Sequence, residues 1–415
     1  MSKLDELIAE LCPDGVDYKP LSEIATITRG GNLQKKDFTE SGVPCIHYGQ
    51  IYTKYGLFTD KTFTFVSEST ALRQKNAVTG DIVMAVTSEN IEDVCKCVVW
   101  LGEDDVAVSG HTAIIHHNQD AKYLAYYFHS SMFFAQKVKL AHGTKVIEVT
   151  PDKLNGVIVP VPPLEVQREI VCVLDNFTEQ MEELQECLGK ELEARKKQIE
   201  YEKNKLLSFD DTVSYVRLDS YYPSIRNGFV GTVTKFFSDK EHGVRYLEGR
   251  NIHSGIISND EEIYVTKEFH AQHLRTELQL EDIVMVQSGH VGECAVVDPD
   301  IAGANCHALI IMSNAGECNS RFMMHYFYSE EGKKQLAKIT TGETVKHILA
   351  SAMQKFLVPS ISLEEQNRLV KMLDRLDELF IELQKKLTNE SEARRKQYEY
   401  YRDKWLTFKE KEKVS

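Results

Sequence analysis

One long segment of this chain occurs twice, 199 residues apart. RKKQIEYEKNKLLSF at 195–209 is matched by RRKQYEYYRDKWLTF at 394–408, and the whole chain has 415 residues, room for about two such periods. A repeat of this length restricts the architecture, because each copy must form a similar unit. The sequence therefore predicts two similar halves related by a pseudo-twofold axis.

Upstream of each copy, apolar residues recur at alternating steps of four and three, the spacing of the a and d positions of a coiled coil. We call these twelve positions the seam residues. They are Ile170, Leu174, Phe177, Met181, Leu184 and Leu188 in the first copy, and Leu369, Leu373, Leu376, Phe380, Leu383 and Leu387 in the second. The pattern predicts two long helices that pack as an antiparallel coiled coil. The first, over about 165–207, would be roughly 64 Å long at about 1.5 Å per residue.

The segments outside the helices have a different residue pattern, with short β-type apolar runs separated by Gly, Asn and Asp. They are diverged copies too, since GVPCIHYGQI at 42–51 corresponds to GVRYLEGRNI at 243–252. The predicted fold class is α+β, with two mixed α/β domains alternating with two helices. The predicted boundaries are 1–160 for the first domain, 161–209 for the central helix, 210–360 for the second domain and 361–415 for the C-terminal helix.

Composition argues against several classes of protein. The start MSKLDELIAELCPDG lacks the basic and apolar regions of a signal peptide, and no run of 18 apolar residues occurs, so we expect a cytoplasmic protein. The nine cysteines are scattered, with only Cys95 and Cys97 close together, which favours reduced thiols over disulfides or zinc ligands. The net charge of −14 is unusual for a protein that binds phosphates.

Motifs of catalysis are missing from the sequence. It contains no N-P-P-Y-type motif for amino methylation, no GxxxxGK[ST] phosphate loop and no HExxH. The segment GHTAIIHHNQD at 110–120 superficially resembles an HNH nuclease, but on a strand His111 and His117 would lie on one face and His116 on the other. Only His111 is matched in the second copy, by His307. We predict no catalytic residue, no metal site and no cofactor.

A protein with two domains related by a pseudo-twofold axis matches duplex DNA, which has local twofold axes of its own. Because the two domains have diverged in sequence, each would recognise a different half-site. Arginine can bind guanine through two hydrogen bonds, and Asn or Gln can bind adenine in the same way. Polar loops of both domains supply the candidate DNA-binding residues. In 1–160 they are Arg29, Asn32, Gln34, Lys35, Lys36, Gln50, Ser88, Asn90, His142 and Lys145; in 210–360 they are Arg226, Asn227, Arg250, Asn251, Gln287, Ser288, His290 and Lys346.

The layout resembles the specificity (S) subunit of type I restriction-modification enzymes, over essentially the whole chain. VIVPVPPLEVQREI at 157–170 and FLVPSISLEEQNRLV at 356–370 are similar to the family signature I-P-L-P-P-L-x-E-Q-x-x-I at the entry to each helix. The first copy has Val166 where Glu is usual, and the second has Ile361 and Ser362 in place of the double proline. GDIVMAVTSENIEDVCKCVVW and EDIVMVQSGHVGECAVVD also resemble the strand, turn and strand of the family's target recognition domains.

The resemblance implies a non-catalytic subunit that recognises a bipartite site in double-stranded DNA. Each globular domain would recognise one half, while the helices set the spacing and dock two methyltransferase subunits, to which S-adenosylmethionine would belong. Restriction subunits would join in the full complex. Two alternatives stay open: a coiled-coil adaptor without DNA binding, which would explain the acidity better, and an HNH-like nuclease.

Overall fold

The computed structural model of this chain describes residues 3–412. The chain divides into two compact units, of which the first runs up to Leu188 and resumes at Thr388, and the second runs from Gly189 to Leu387. Each unit holds one globular domain and a part of each of the two longest helices. The predicted α+β fold is confirmed. Within residues 3–412, every helix is too short or too polar to cross a membrane.

The first unit contains seven short helices and the beginning of a long one. The helices are α1 (Lys3–Leu11), α2 (Leu21–Ile24), α3 (Tyr48–Thr53), α4 (Glu68–Ala71), α5 (Ala121–Phe128), α6 (Ser131–Leu140), α7 (Pro151–Leu154) and α8 (Leu164–Leu206), which continues into the second unit. The strands are β1 (Asp17–Pro20), β2 (Ala25–Arg29), β3 (Phe38–Thr39), β4 (Val43–Ile46), β5 (Phe58–Thr59), β6 (Thr64–Val66), β7 (Lys75–Ala77), β8 (Ile82–Ala85), β9 (Thr87–Ser88), β10 (Cys97–Trp100), β11 (Val106–Val108), β12 (Thr112–His117), β13 (Ile147–Glu148) and β14 (Ile158–Val161).

A five-stranded sheet with buried central strands organises the first domain. Its strand order is β2-β12-β8-β10-β5, and a second five-stranded sheet has the order β3-β6-β4-β11-β7. Side chains of β8 alternate between two cores, since Ile82 and Met84 pack with α5, whereas Val83 and Ala85 pack with β11. Because both faces of β8 are covered, all four of its residues are buried, which explains the unbroken apolar run IVMA.

The second unit contains the end of α8, four further short helices and the beginning of the second long helix. The short helices are α9 (Lys267–Gln272), α10 (Ser320–Tyr328), α11 (Glu330–Ile339) and α12 (Ala350–Met353), and α13 (Leu363–Trp405) continues into the first unit. The strands are β15 (Tyr215–Arg217), β16 (Ser224–Asn227), β17 (Phe237–Ser238), β18 (Gly243–Leu247), β19 (Ile252–His253), β20 (Ile256–Ile257), β21 (Ile263–Thr266), β22 (Ile283–Val286), β23 (Cys294–Val296), β24 (Asn305–Cys306), β25 (Leu309–Ser313) and β26 (Leu357–Pro359).

The second domain repeats the design of the first. A sheet of order β16-β25-β22-β23 corresponds to β2-β12-β8-β10, and the parallel pair β18–β24 corresponds to the parallel pair β4–β11. Strand β22 again divides its side chains between two cores, with Ile283 and Met285 packing with α10 and Val284 and Val286 packing with β24. The repeat seen in the sequence is therefore a repeat of tertiary structure.

A buried glutamine marks the entry to each long helix. The Gln167 side-chain oxygen accepts a hydrogen bond from the Asp120 backbone N–H (3.0 Å), and the Gln366 oxygen accepts one from the Asn319 N–H (2.8 Å). Each side-chain amide also donates to a carbonyl of the segment that enters the helix. Because Asp120 and Asn319 are the N-caps of α5 and α10, the glutamine joins the two helices, which explains why both copies contain it.

Every seam residue is buried or half-buried. In the first unit the Phe177 ring on α8 lies 6.0 Å from the Tyr398 and Tyr401 rings and 6.1 Å from the Trp405 ring, measured between centroids. The contacts on Phe177 thus come from the aromatic end of α13. An antiparallel pair requires this arrangement, since the start of one helix lies beside the end of the other.

The second unit shows the matching contacts with the helices exchanged. Leu207, just beyond the end of α8, packs with Leu369 and Leu373 of α13 and with Phe322 of α10. The seam residues at the start of each helix therefore pack against the segment that follows the seam in the other helix. The segment that follows each seam is rich in charged residues, but its inward-facing positions contribute to the contact between the helices.

An aspartate ties α8 to the first domain. Asp175 accepts a hydrogen bond from the Tyr126 hydroxyl (2.7 Å) and another from the Lys122 ammonium (2.6 Å), both on α5. Burial and the neighbouring Asp175 carboxylate raise the pKa of Tyr126 above its ordinary range, so the hydroxyl keeps its proton and remains a donor.

The second unit repeats this contact with different donors. Asp374 on α13 accepts a hydrogen bond from the Arg321 guanidinium (3.0 Å), and its carboxylate lies 2.9 Å from His325 Nε2. Burial lowers the pKa of His325, so its imidazole is neutral near pH 7 and donates the Nε2 proton. Burial by itself would raise the pKa of Asp374, but the bonds from His325 and Arg321 outweigh it and lower the pKa.

Replacing this aspartate should loosen the second domain from its helix. We expect Asp374→Ala to lower the free energy of unfolding of the second unit by about 2 kcal/mol, because the buried His325 donor loses its acceptor. Urea or thermal unfolding measures the loss. Glu378→Ala on the same helix is the control, since Glu378 pairs only on the surface with Arg375 and should cost at most about 0.5 kcal/mol. Equal losses in the two variants would contradict the anchoring role.

Candidate nucleic-acid interface

Four polar loops of the first domain come together on one surface. Arg29, at the end of β2, donates to the Gly110 carbonyl (3.1 Å) and pairs with Glu148 (3.1 Å). The Thr87 hydroxyl lies 3.2 Å from His111 Nδ1, and Thr87 is the strand partner of Glu148. We call the loops 29–36, 87–90, 109–111 and 142–148 the first loop cluster.

An aromatic pair borders the first loop cluster. The Tyr48 ring lies 4.9 Å from the His111 ring and 4.5 Å from the His47 ring. Burial lowers the pKa of His47, with the nearby charge of Lys35 acting in the same direction, so its imidazole is neutral and accepts a bond from the Gly49 N–H (3.2 Å). Tyr48 is not among the candidate DNA-binding residues predicted from the sequence, and His111 was considered there only as part of the HNH-like segment.

The second domain forms an equivalent group of loops. The Ser288 hydroxyl lies 2.6 Å from His347 Nδ1, and Phe229 forms a parallel bridge with His307. The Tyr246 hydroxyl lies 3.3 Å from His307 Nδ1. We call the loops 226–231, 287–292, 306–308 and 341–347 the second loop cluster. Each domain thus gathers on one surface loops that are far apart in sequence.

Most of the candidate DNA-binding residues are exposed. In the first domain Ser88 is half-buried, whereas the exposed candidates are Arg29, Asn32, Gln34, Lys35, Lys36, Asn90, His142 and Lys145. In the second domain the exposed candidates are Asn227, Arg250, Ser288, His290 and Lys346. Some already have partners, since Asn90 bonds to Asp93 and Arg250 pairs with Glu248 (3.0 Å) and Glu261 (2.6 Å).

Two candidates have a structural task instead. Gln50 and Asn251 are buried at equivalent positions of the two domains, with 9% and 1% exposure. The Gln50 side-chain oxygen accepts a bond from the His47 N–H (3.2 Å), and the Asn251 oxygen accepts one from the Glu248 N–H (2.9 Å). Each side-chain amide therefore caps a short helical turn by accepting a hydrogen bond from the backbone N–H at the start of that turn. We withdraw both from the proposed DNA contacts.

Two more candidates are engaged inside the second domain. The Arg226 guanidinium donates to the Arg275 carbonyl (2.8 Å) and the Glu277 carbonyl (3.1 Å), and it lies 3.7 Å from the Asp282 carboxylate. Gln287 is buried at the end of β22. The half-buried Arg226 guanidinium is held by these acceptors, and the buried Gln287 side chain cannot reach a base edge in a groove, so we withdraw both residues as well.

The histidines of the HNH-like segment do not converge. His111 precedes β12 and belongs to the first loop cluster, so the strand geometry expected for it was wrong. His116 pairs with Asp81 (2.7 Å), and the Nε2 atom of the half-buried His117 makes no hydrogen bond with any described residue. Within residues 3–412, no three His, Cys, Asp or Glu side chains are grouped so that they could hold a metal ion.

Comparisons with known proteins agree on one family. The family model for the type I restriction modification DNA specificity domain matches residues 13–194 and 232–393. A putative type I restriction enzyme specificity subunit of Haemophilus influenzae, S.HindORF215P, is 24% identical over 413 residues, covering 95% of this chain and 96% of that protein. The EcoR124I/EcoR124II specificity subunit of Escherichia coli is 26% identical over 267 residues, which cover 62% of this chain and 63% of that protein.

Solved structures share the fold. A chain of a type I R-M system matches with a TM-score of 0.73 at 16% identity, covering 95% of this chain and 98% of that one. The HsdS subunit of Thermoanaerobacter tengcongensis matches with a TM-score of 0.57 at 15% identity, over 95% and 97% of the two chains. The family model covers most of both units, one match in each half of the repeat. This chain therefore belongs to the family of type I restriction-modification DNA specificity subunits.

Proposed function

We propose that this chain recognises a bipartite site in double-stranded DNA, with residues 1–160 contacting one half and residues 210–360 the other. The observation that carries the proposal is the presence of one loop cluster in each domain, built on the same strands but with different side chains. TSEN at 87–90 stands where the second domain has SGHV at 288–291. Equivalent loops with different donors and acceptors would select different bases.

We further propose that the long helices set the distance between the half-sites and dock two methyltransferase subunits. Matching exposed segments on the two helices support a partner present in two copies. Arg195 pairs with Glu191 (2.8 Å), and at the equivalent place Arg394 pairs with Glu390 (2.8 Å). Similar surfaces on two repeats suit two copies of one protein. Restriction subunits would bind the complex that this chain forms with the methyltransferase subunits.

The net negative charge of the chain is compatible with DNA binding if the methyltransferase subunits also contact the DNA. In this proposal exposed lysines of the loop clusters, Lys35, Lys36, Lys145 and Lys346, contact phosphates, and the methyltransferase subunits supply further basic surface. The chain itself performs no chemistry, and S-adenosylmethionine binds the methyltransferase. We propose that the complex acts in the cytoplasm, where it meets host DNA.

Mapping methylated adenines tests this function. The chain is co-expressed with its cognate methyltransferase, and modified bases are located across the host genome by single-molecule sequencing. We expect a bipartite motif with a fixed gap that disappears when this chain is deleted. Stable co-purification without any new motif would favour an adaptor instead. Cleavage of DNA by the purified chain with Mg²⁺ alone, abolished in His111→Ala, would show a nuclease.

A further inference from the structure

Each domain carries the same short β-hairpin in its loop cluster. In the first, the backbone groups of His142 and Glu148 exchange hydrogen bonds of 3.0 and 2.8 Å. In the second, Thr341 and His347 exchange two bonds of 2.8 Å. Both hairpins follow a helix of ten residues, α6 or α11, and both hold a five-residue turn between the bonded pair.

A glycine shapes the turn in both copies. Gly143 has φ of 108° and Gly342 has φ of 96°, a region that L side chains rarely adopt. A Cβ atom would lie 2.0 Å from the Val146 carbonyl oxygen in the first hairpin and 2.1 Å from the Val345 oxygen in the second. The turn therefore folds back closely on itself and presents the valine at its tip.

The valine at each tip points to solvent. Val146 is 58% exposed and Val345 is 64% exposed. A lysine adjoins each valine in the chain, Lys145 before the first and Lys346 after the second, and both lysines are exposed. Single exposed apolar residues are common on protein surfaces, but this valine recurs in both domains, three residues after the glycine that shapes the turn.

The hairpins are firmly attached to the rest of the loop clusters. The Val149 N–H donates to the Val86 carbonyl (3.0 Å), and the Ile348 N–H donates to the Gln287 carbonyl (2.9 Å). Val149 and Ile348 themselves are fully buried. Each tip therefore projects from a fixed base, beside the loops that contain the candidate base contacts.

A feature that is identical in two domains cannot distinguish two different half-sites. The shared valine must therefore contact something that both half-sites offer, which in DNA means the sugars, the phosphates and the walls of the groove. The adjacent lysine favours a polyanion over an apolar protein surface, because a phosphate would neutralise it. The position of each tip within a loop cluster favours the same partner.

We propose that each hairpin inserts its valine into a groove of the duplex, against deoxyribose and base edges, while the adjacent lysine contacts a phosphate. Apolar side chains are used in this way by proteins that bind the minor groove. The contact adds affinity without choosing a sequence, and it positions each domain on its half-site. This inference rests on the proposed function, because it presupposes that the loop clusters face DNA.

The test uses the complex with the methyltransferase and a double variant, Val146→Ser with Val345→Ser. Affinity is measured for a duplex with the mapped bipartite site and for one with both half-sites scrambled. We expect both affinities to fall by a similar factor, about tenfold, because the variant loses two valines that would be partly buried against the DNA in the complex. The methylated motif should stay the same. Val146→Ile with Val345→Ile should keep the affinity, and Val138→Ser, which alters an exposed valine on α6, should change nothing.

Three results would overturn the inference. A changed motif would mean that the hairpins select bases. Unchanged DNA affinity with loss of methyltransferase from the purified complex would assign the valines to a protein contact. Unchanged affinity and unchanged assembly would show that the tips contact nothing. If the wild-type complex yields no bipartite motif, both the proposed function and this inference are refuted. If the wild-type complex yields the motif but the valine variants do not lose DNA affinity, only this inference is refuted.

Discussion

Replacing residues 210–360 with the equivalent domain of another specificity subunit is expected to change one half of the methylated sequence completely and leave the other half unchanged. The second domain has its own sheets and cores, so its loop cluster can be exchanged without disturbing the first. Exchange of base-contacting loops replaces the pattern of donors and acceptors, and each wrong base pair typically costs about 1–3 kcal/mol. Single-molecule sequencing of methylated adenines measures the outcome.

The graft must preserve the contacts between the domain and its helices. Phe322, Arg321 and His325 of α10 contact Leu207 and Asp374, so these three side chains are retained in the donor domain. A graft that keeps the loop cluster of this chain but takes the donor's core is the matched control, and its motif should equal that of the wild type. A change in both halves of the motif would refute independent recognition by the two domains.

Lengthening the first long helix should alter the gap between the half-sites while both half-sites stay the same. Four residues inserted after Lys190 add about one helical turn, or roughly 6 Å, which corresponds to about one or two base pairs of duplex. The site lies close to the unit boundary at Leu188 and Gly189, away from the contact of Leu207 with Leu369. One full turn also keeps the inward face of the helix nearly in register.

Methylome mapping of the insertion variant reports the new gap. Its control is an insertion of four residues after Gly316, in an exposed turn outside the helices, which should leave the gap unaltered. An unaltered gap in the helix variant, with methylation intact, would show that the helices do not set the spacing. Loss of all methylation in the helix variant alone would instead point to failed assembly, which co-purification with the methyltransferase detects.

The repeated architecture could be predicted because it depends on patterns that are local or periodic. The alternating steps of four and three residues predicted a first long helix over about 165–207, and α8 spans Leu164–Leu206. The apolar runs predicted strands, since a strand covered on both faces needs apolar residues at every position. The family resemblance rested on the same features and was confirmed by the family model.

Individual site residues were harder to predict, because amides and guanidinium groups satisfy backbone atoms as readily as they bind bases. Gln50 and Asn251 were proposed from their residue type, yet each caps a turn three residues upstream. The equivalence of these two positions in the repeat was the available signal, since residues shared by diverged domains are more suited to structure than to discrimination. Arg226 gave no comparable signal, because its acceptors at Arg275 and Glu277 are about 50 residues away.

The sequence by itself determined the repeat, the fold class, the long helices and the family, since the 199-residue period and the heptad spacing are written along the chain. Only the tertiary structure decided which loops meet, which polar side chains remain free, and what packs against each seam. Phe177 meets Tyr398 and Trp405 more than 220 residues later. Contacts at such separations depend on how the chain returns through a folded domain, and residue spacing carries no record of that path.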